Sequence, residues 1–191
     1  METSEFVGRY LDDVKRLCDA IDAQEVTALV DALLEAWQNG RRVLFMGNGG
    51  SSSSVSHIVN DMQKNLALEA GKPLRALCLS DNTALLMAWA NDTEWNNIFA
   101  PQVECWAESG DVVIGVSGSG NSMNVINGIM AANNAGAKTF GMAGMGGGKL
   151  KTTAHQCMVV PSDNMQRIED VHMILLHLAF ASLLDRAKEA Q

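Results

Sequence analysis

Two runs, Gly47-Asn48-Gly49-Gly50-Ser51-Ser52-Ser53-Ser54 and Ser117-Gly118-Ser119-Gly120-Asn121-Ser122, combine residue types that suit anion binding. Glycines let backbone N–H groups approach an anion, and hydroxyls just ahead of a helix add donors, so each run is a candidate phosphate cradle. Turns and helix caps would account for one such run; two of them point to a shared ligand. Neither run contains a basic residue, so amide dipoles, hydroxyls and helix ends would have to meet the charge. The GxxxxGK[ST] pattern of nucleotide triphosphate sites is absent, and Ser52 stands where the third glycine of GxGxxG would fall.

Titratable groups follow each region. His57 and Asp61 are four apart on the helix expected after the first run, so their side chains share one face. Near the carboxyl end, Glu169, Asp170, His172 and His177 interrupt an otherwise apolar helix, and each histidine there needs something to satisfy it. His172 reads best as a core residue. Together the two His-plus-carboxylate helices offer nitrogen and oxygen ligands to a divalent ion such as zinc.

A frame must bring these residues together. The chain has 191 residues, 47% apolar and 19% charged, with 17 Gly and 3 Pro, which fits one globular α/β domain. Helical spacing of Phe6, Tyr10, Leu11, Val14, Leu17 and Ile21, and then of Val26, Leu29, Val30, Leu33 and Trp37, predicts two leading helices stopped at Asn39-Gly40. Strands are expected over 42–46, 75–79, 111–116, 138–142 and 156–160. Helices are expected from about 53 to 66, over 83–90 and 95–107, up to 134, briefly after 144–148, and over 165–188. Continuous apolar strands separated by helices make a five-stranded parallel sheet covered on both faces, a three-layer α/β/α sandwich. Ligands of such sheets gather where the strands end, and both glycine-serine runs follow strands.

Composition excludes several classes. Fourteen basic against 22 acidic residues give a formal net charge of -8 and no basic patch, so nucleic acid and anionic membrane are not expected partners. The longest apolar stretch, 173–184, is broken by His177 and Ser182 and falls short of the ~20 residues of a membrane span. The acidic start shows no signal peptide, and Cys18, Cys78, Cys105 and Cys157 show no metal-finger spacing, so a reducing cytoplasm is expected.

The run GNGGSSSSVSH, the later SGSGNS and the terminal RIEDVHMILLH resemble the sugar isomerase (SIS) domain family, and within it the phosphoheptose isomerases. The likeness covers nearly the whole chain, residues 1–191 as a single SIS domain, with the helices of 1–40 used in oligomerisation and 41–191 forming the sandwich. It implies a flavodoxin-like winding. It implies that Asn48, Gly49, Gly50 and Ser51, with Ser117, Gly118, Ser119 and Ser122, hold the phosphate and nearby hydroxyls, and that Asn91 and Asp92 contact the sugar. It makes His57 a metal ligand, and Asp61 and His177 both ligands and proton-transfer groups. Glu169 would serve as fourth ligand and substrate contact. Better-known members have glutamate at the Asp61 position and glutamine at the Glu169 position, a pair of changes that reads as compensating. Helical periodicity alone would pair Asp170 with His177, because Glu169 and His177 stand roughly 12 Å apart along a helix and about 80° apart around it.

The implied reaction converts sedoheptulose 7-phosphate to D-glycero-D-manno-heptose 7-phosphate by metal-assisted proton transfer through an enediol, with one zinc ion per site and active sites between subunits of a homotetramer. Which of Asp61 and His177 is acid and which is base stays open. Two other readings remain: a noncatalytic SIS regulator that binds a sugar phosphate, and an isomerase of another phosphorylated ketose.

Overall fold

The computed structural model describes residues 2–190. Two helices lead, α1 (Thr3–Asp19) and α2 (Ala23–Gln38), the second begun by the Asp22 carboxylate, which accepts the Gln24 N–H at 2.8 Å. Then come β1 (Arg42–Gly47), α3 (Gly49–Glu69), β2 (Arg75–Cys78), α4 (Thr83–Asp92), α5 (Ala100–Trp106), β3 (Val112–Ser117), α6 (Met123–Asn134), β4 (Lys138–Ala143), α7 (Leu150–Thr153), β5 (Gln156–Val159) and α8 (Met165–Glu189). All four strand pairings are parallel, in the order β2-β1-β3-β4-β5. This is the three-layer sandwich and the flavodoxin-like winding expected, with the strand order reversing direction between β1 and β3.

Alternation along the strands feeds two cores. In β1, Val43 and Phe45 pack on the face covered by α1, α2, α3 and α8, while Leu44 and Met46 pack on the face covered by α5, α6 and α7. Strands buried on both faces have no polar positions to spare, which is why they read as continuous apolar runs.

Two boundaries differ from the expected ones in ways that matter to the site. The helix expected from about residue 53 begins at Gly49, so most of the first glycine-serine run is helix rather than loop. Low intrinsic propensity is overridden by packing: Ser51 is buried against Gly47, with no space for a side chain at 47. The stretch 95–107 splits into a single 3-10 turn (Trp95–Asn97) and α5, because Pro101 starts a helix readily but cannot continue one.

Helices that return from parallel strands all run the same way. Accordingly α3 and α8 lie side by side and parallel, His57 meeting His177 and Glu69 meeting Lys188 at nearly constant offset. Both begin at the carboxyl ends of strands, so His57 in the third turn of α3 meets His177 in the fourth turn of α8.

Candidate active site

The amino end of α3 and the loop from β3 to α6 enclose a cavity of about 260 Å³ at the β1/β3 reversal. Asn48, Gly49, Gly50, Ser51, Ser117, Gly118, Ser119 and Ser122 all line it, together with Met165 and Glu169. The eight residues that the family resemblance assigns to the phosphate therefore line one cavity. The Ser117 hydroxyl donates to Ser122 Oγ at 3.0 Å, and Ser119 Oγ accepts the Asn121 N–H at 3.2 Å. A third loop, after β4, closes on the second: the Leu150 N–H bonds the Gly120 carbonyl at 2.9 Å. Gly120 has φ +66° and its Cα faces the Gly147 carbonyl, where a Cβ would collide.

Some 10 Å further along α3, by the helical rise from Gly50 to His57, lies a compact polar group. His57 Nε2 is 3.1 Å from His177 Nε2 and 3.4 Å from Asp61 Oδ2, and one ligand atom from each of the three falls within 4.8 Å of the others. The two rings meet edge to face, with centroids 5.2 Å apart. Donor atoms at 3.1 and 3.4 Å match the roughly 3.3 Å edge of a tetrahedron with ~2.05 Å bonds, and two imidazoles with a carboxylate suit zinc. These three residues thus fit a divalent ion.

Glu169 lies elsewhere, in the cradle. Its carboxylate rests on Gly50, where a Cβ would stand 2.9 Å from Oε1. Two helical turns and about 80° separate it from His177, the tension already visible in the spacing. Asp170, the alternative ligand, is engaged by α1: the Tyr10 hydroxyl donates to its Oδ2 at 2.5 Å. That bond, then burial, raises the Tyr10 pKa above its usual 10.0. The Arg167 guanidinium sits 4.4 Å over the Tyr10 ring and its Nε donates to Asp13 at 2.9 Å. Thus α1 grips α8 on either side of Glu169.

Asn91 and Asp92 lie exposed in the last turn of α4, the Asn91 amide donating to Asp92 at 2.9 Å, and neither lines the cavity. His172 is buried among the aliphatic side chains of α8, as expected of a core residue. Sequence reasoning passed over Asn124, whose carboxamide pairs with that of Asn48, and Met165, which lies against Gly118. The available signal for Asn124 was an asparagine two residues after Ser122, in the first turn of the helix that follows the second glycine-serine run.

Residues 9–144 match the family model described as SIS domain, and the chain belongs to the SIS domain family. Its relatives there carry a narrower name. It is 35% identical over 175 residues to a "Probable phosphoheptose isomerase" of Thermoplasma acidophilum, covering 92% of this chain and 96% of that one. It is 40% identical over 149 residues to a phosphoheptose isomerase of Helicobacter pylori, covering 78% and 77%. The solved phosphoheptose isomerase of Neisseria gonorrhoeae superposes with a TM-score of 0.86 at 28% identity, over 95% of this chain and 98% of that one.

Proposed function

We propose that the chain is a phosphoheptose isomerase, an aldose-ketose isomerase that converts sedoheptulose 7-phosphate to D-glycero-D-manno-heptose 7-phosphate. The observation that supports this is a pair of features on the same helix: a cavity lined by both glycine-serine runs at the β1/β3 reversal and, some 10 Å along α3 by the helical rise, the group His57, Asp61 and His177. An extended sugar with its phosphate at one end and its carbonyl at the other spans such a distance. The names of the relatives agree with it.

In this reading the amides of Gly49, Gly50 and Ser51 and the hydroxyls of Ser51, Ser119 and Ser122 hold the phosphate, and the α3 dipole adds to the attraction. That remote binding energy fixes the sugar chain so that its first two carbons lie at the histidines. A base, Asp61 or His177, takes a proton from C1, next to the ketone. The same proton returns at C2 while the hydroxyl proton of O1 moves to O2, so the enediol collapses to the aldose with no net gain or loss. His57, Asp61 and His177 would hold a zinc ion, which supplies Lewis-acid polarisation of the carbonyl and hydroxyl. Glu169, which lines the cradle two helical turns from His177, is assigned to the substrate rather than to the ion; Asn91 and Asp92 are assigned to the sugar.

Assembly and location complete the proposal. The whole chain acts as one SIS domain, and the helices of 1–40, with Phe6, Val7 and Leu11 exposed on α1, form a homotetramer whose subunits share active sites. The enzyme is cytoplasmic; no helix among the described residues is long and apolar enough to cross a membrane.

The test is turnover of a panel of C5 to C7 ketose phosphates by the full chain, with and without zinc, beside a solution mass by light scattering. Zinc-dependent conversion of sedoheptulose 7-phosphate by a tetramer is expected. Metal-loaded protein that binds sugar phosphates and converts none makes the chain a regulator, conversion of a different ketose reassigns the substrate, and a fully active monomer removes the shared site.

A further inference from the structure

Where an Asp or Asn precedes the other long helices of this chain, it caps them. Asp22 accepts the Gln24 N–H, Asn82 the Leu85 N–H at 3.1 Å and Asn164 the Arg167 N–H at 3.2 Å. At the cradle the pattern breaks. Asn48 occupies the N-cap of α3 with extended backbone (φ −106°, ψ 151°), yet its side chain caps nothing. Its carboxamide instead faces Asn124 in the first turn of α6, and the two amides exchange both hydrogen bonds, each 2.9 Å. Asn124 is 1% exposed, and its Oδ1 also accepts the Val125 N–H at 2.9 Å. Ser122, the N-cap of α6, likewise leaves its own helix uncapped and accepts from Ser117.

A free asparagine at an N-cap accepts from the second or third N–H of its helix. In α3 those belong to Gly50 and Ser51, both of which line the cavity. Capping and anion binding therefore compete for the same donors. We propose that Asn124 is a positioning residue of the cradle: by holding both ends of the Asn48 carboxamide it keeps Asn48 from capping α3 and leaves the first N–H groups of that helix open to phosphate. The paired amides also tie the segment after β1 to the start of α6, so that the two halves of the cradle keep one separation. Burial of Asn124 makes the arrangement stiff, because breaking the bond from its Nδ2 to Asn48 would strand a donor away from water. This proposal rests on the assignment of the cavity as a phosphate site.

Calorimetric titration of the full chain with inorganic phosphate tests it, on wild type, on Asn124→Leu, which has similar bulk and no hydrogen bonds, on Asn48→Gly and on Asn48→Gly/Asn124→Leu. Freed Asn48 is expected to cap α3, weakening phosphate binding about fivefold, the equivalent of the ~1 kcal/mol typical of a cap. Amide exchange at Gly50 and Ser51 in the ligand-free variant should slow relative to wild type, the opposite of what loosening would produce. With no side chain at 48 to cap, the double variant should bind phosphate within about twofold of Asn48→Gly alone, whatever Asn48 itself gives the ligand. Should the leucine variant not fold, Asn124→Ser, which keeps at most one bond to Asn48, enters the same comparison. Unchanged affinity in Asn124→Leu, or an Asn124→Leu change that weakens binding about fivefold in the Asn48→Gly background as well, overturns the role of Asn124 while leaving the cradle in place. A wild type that takes up no phosphate overturns the cradle itself and the proposal with it.

Discussion

Replacing His172 by leucine is expected to make the fold less sensitive to acid. The imidazole is 1% exposed, on the stretch of α8 that carries the buried Ile168, Val171, Leu175 and Leu176, and neither ring nitrogen makes a well-formed hydrogen bond among the described residues, the Ala143 backbone offering only a loose one. Burial pushes its pKa down from 6.5 to about 4, against a smaller opposing pull from the Ala143 backbone. The folded chain thus keeps the ring neutral over a range in which the unfolded chain protonates it. Stability is unaffected above about pH 6.5 and falls as the pH drops toward 4, because the unfolded state binds a proton that the folded state refuses. At ~1.4 kcal/mol for each pH unit, the window removes about 3 kcal/mol by its lower end. Leucine abolishes that slope and also removes two buried ring nitrogens that lack a well-formed hydrogen bond, so the variant should be at least as stable as wild type at neutral pH. Urea unfolding at fixed protein concentration, from about pH 7.5 down to about pH 4.5, measures both effects. Parallel loss of stability in wild type and variant across that range would refute the reasoning.

Two further predictions concern the site. Ser51→Ala or Ser119→Ala should weaken sugar phosphate binding by ~10- to 150-fold, equivalent to about 1.5–3 kcal/mol for a hydrogen bond to a charged group, with the far-UV circular dichroism unchanged; equal affinity in both variants would move the phosphate elsewhere. His57→Ala and His177→Ala should each lose the bound divalent ion on metal analysis. In wild type, ion affinity should fall with falling pH as protons compete for the imidazoles; a metal-free wild type whose turnover resists chelation would leave the three residues as acid/base and sugar-binding groups alone.

Much of this molecule was legible in one dimension. Apolar runs of strand length between helical periodicities dictate a buried parallel sheet, because strands covered on both faces cannot afford polar positions. The glycines and serines after β1 and β3 marked the segments that line one cavity, since few other residue types let a backbone come so close to a ligand. His57 and Asp61 share a face at i,i+4 whatever the rest of the chain does.

Tertiary structure alone decided the rest. Parallel packing of α3 on α8 brings His177 to His57, at a separation of 120 residues that no local pattern encodes. The same packing sends Glu169 to Gly50, two turns from that group, and α1 takes Asp170 through Tyr10. Composition marked 49–52 as loop, yet the chain is helical there, because contacts with β1 and α8 outweigh the weak propensities of glycine and serine. The pairing of Asn48 with Asn124 lies furthest from sequence reading. Either asparagine would pass for a helix-start residue, and only the shared burial of two loops from different strands turns their amides toward each other.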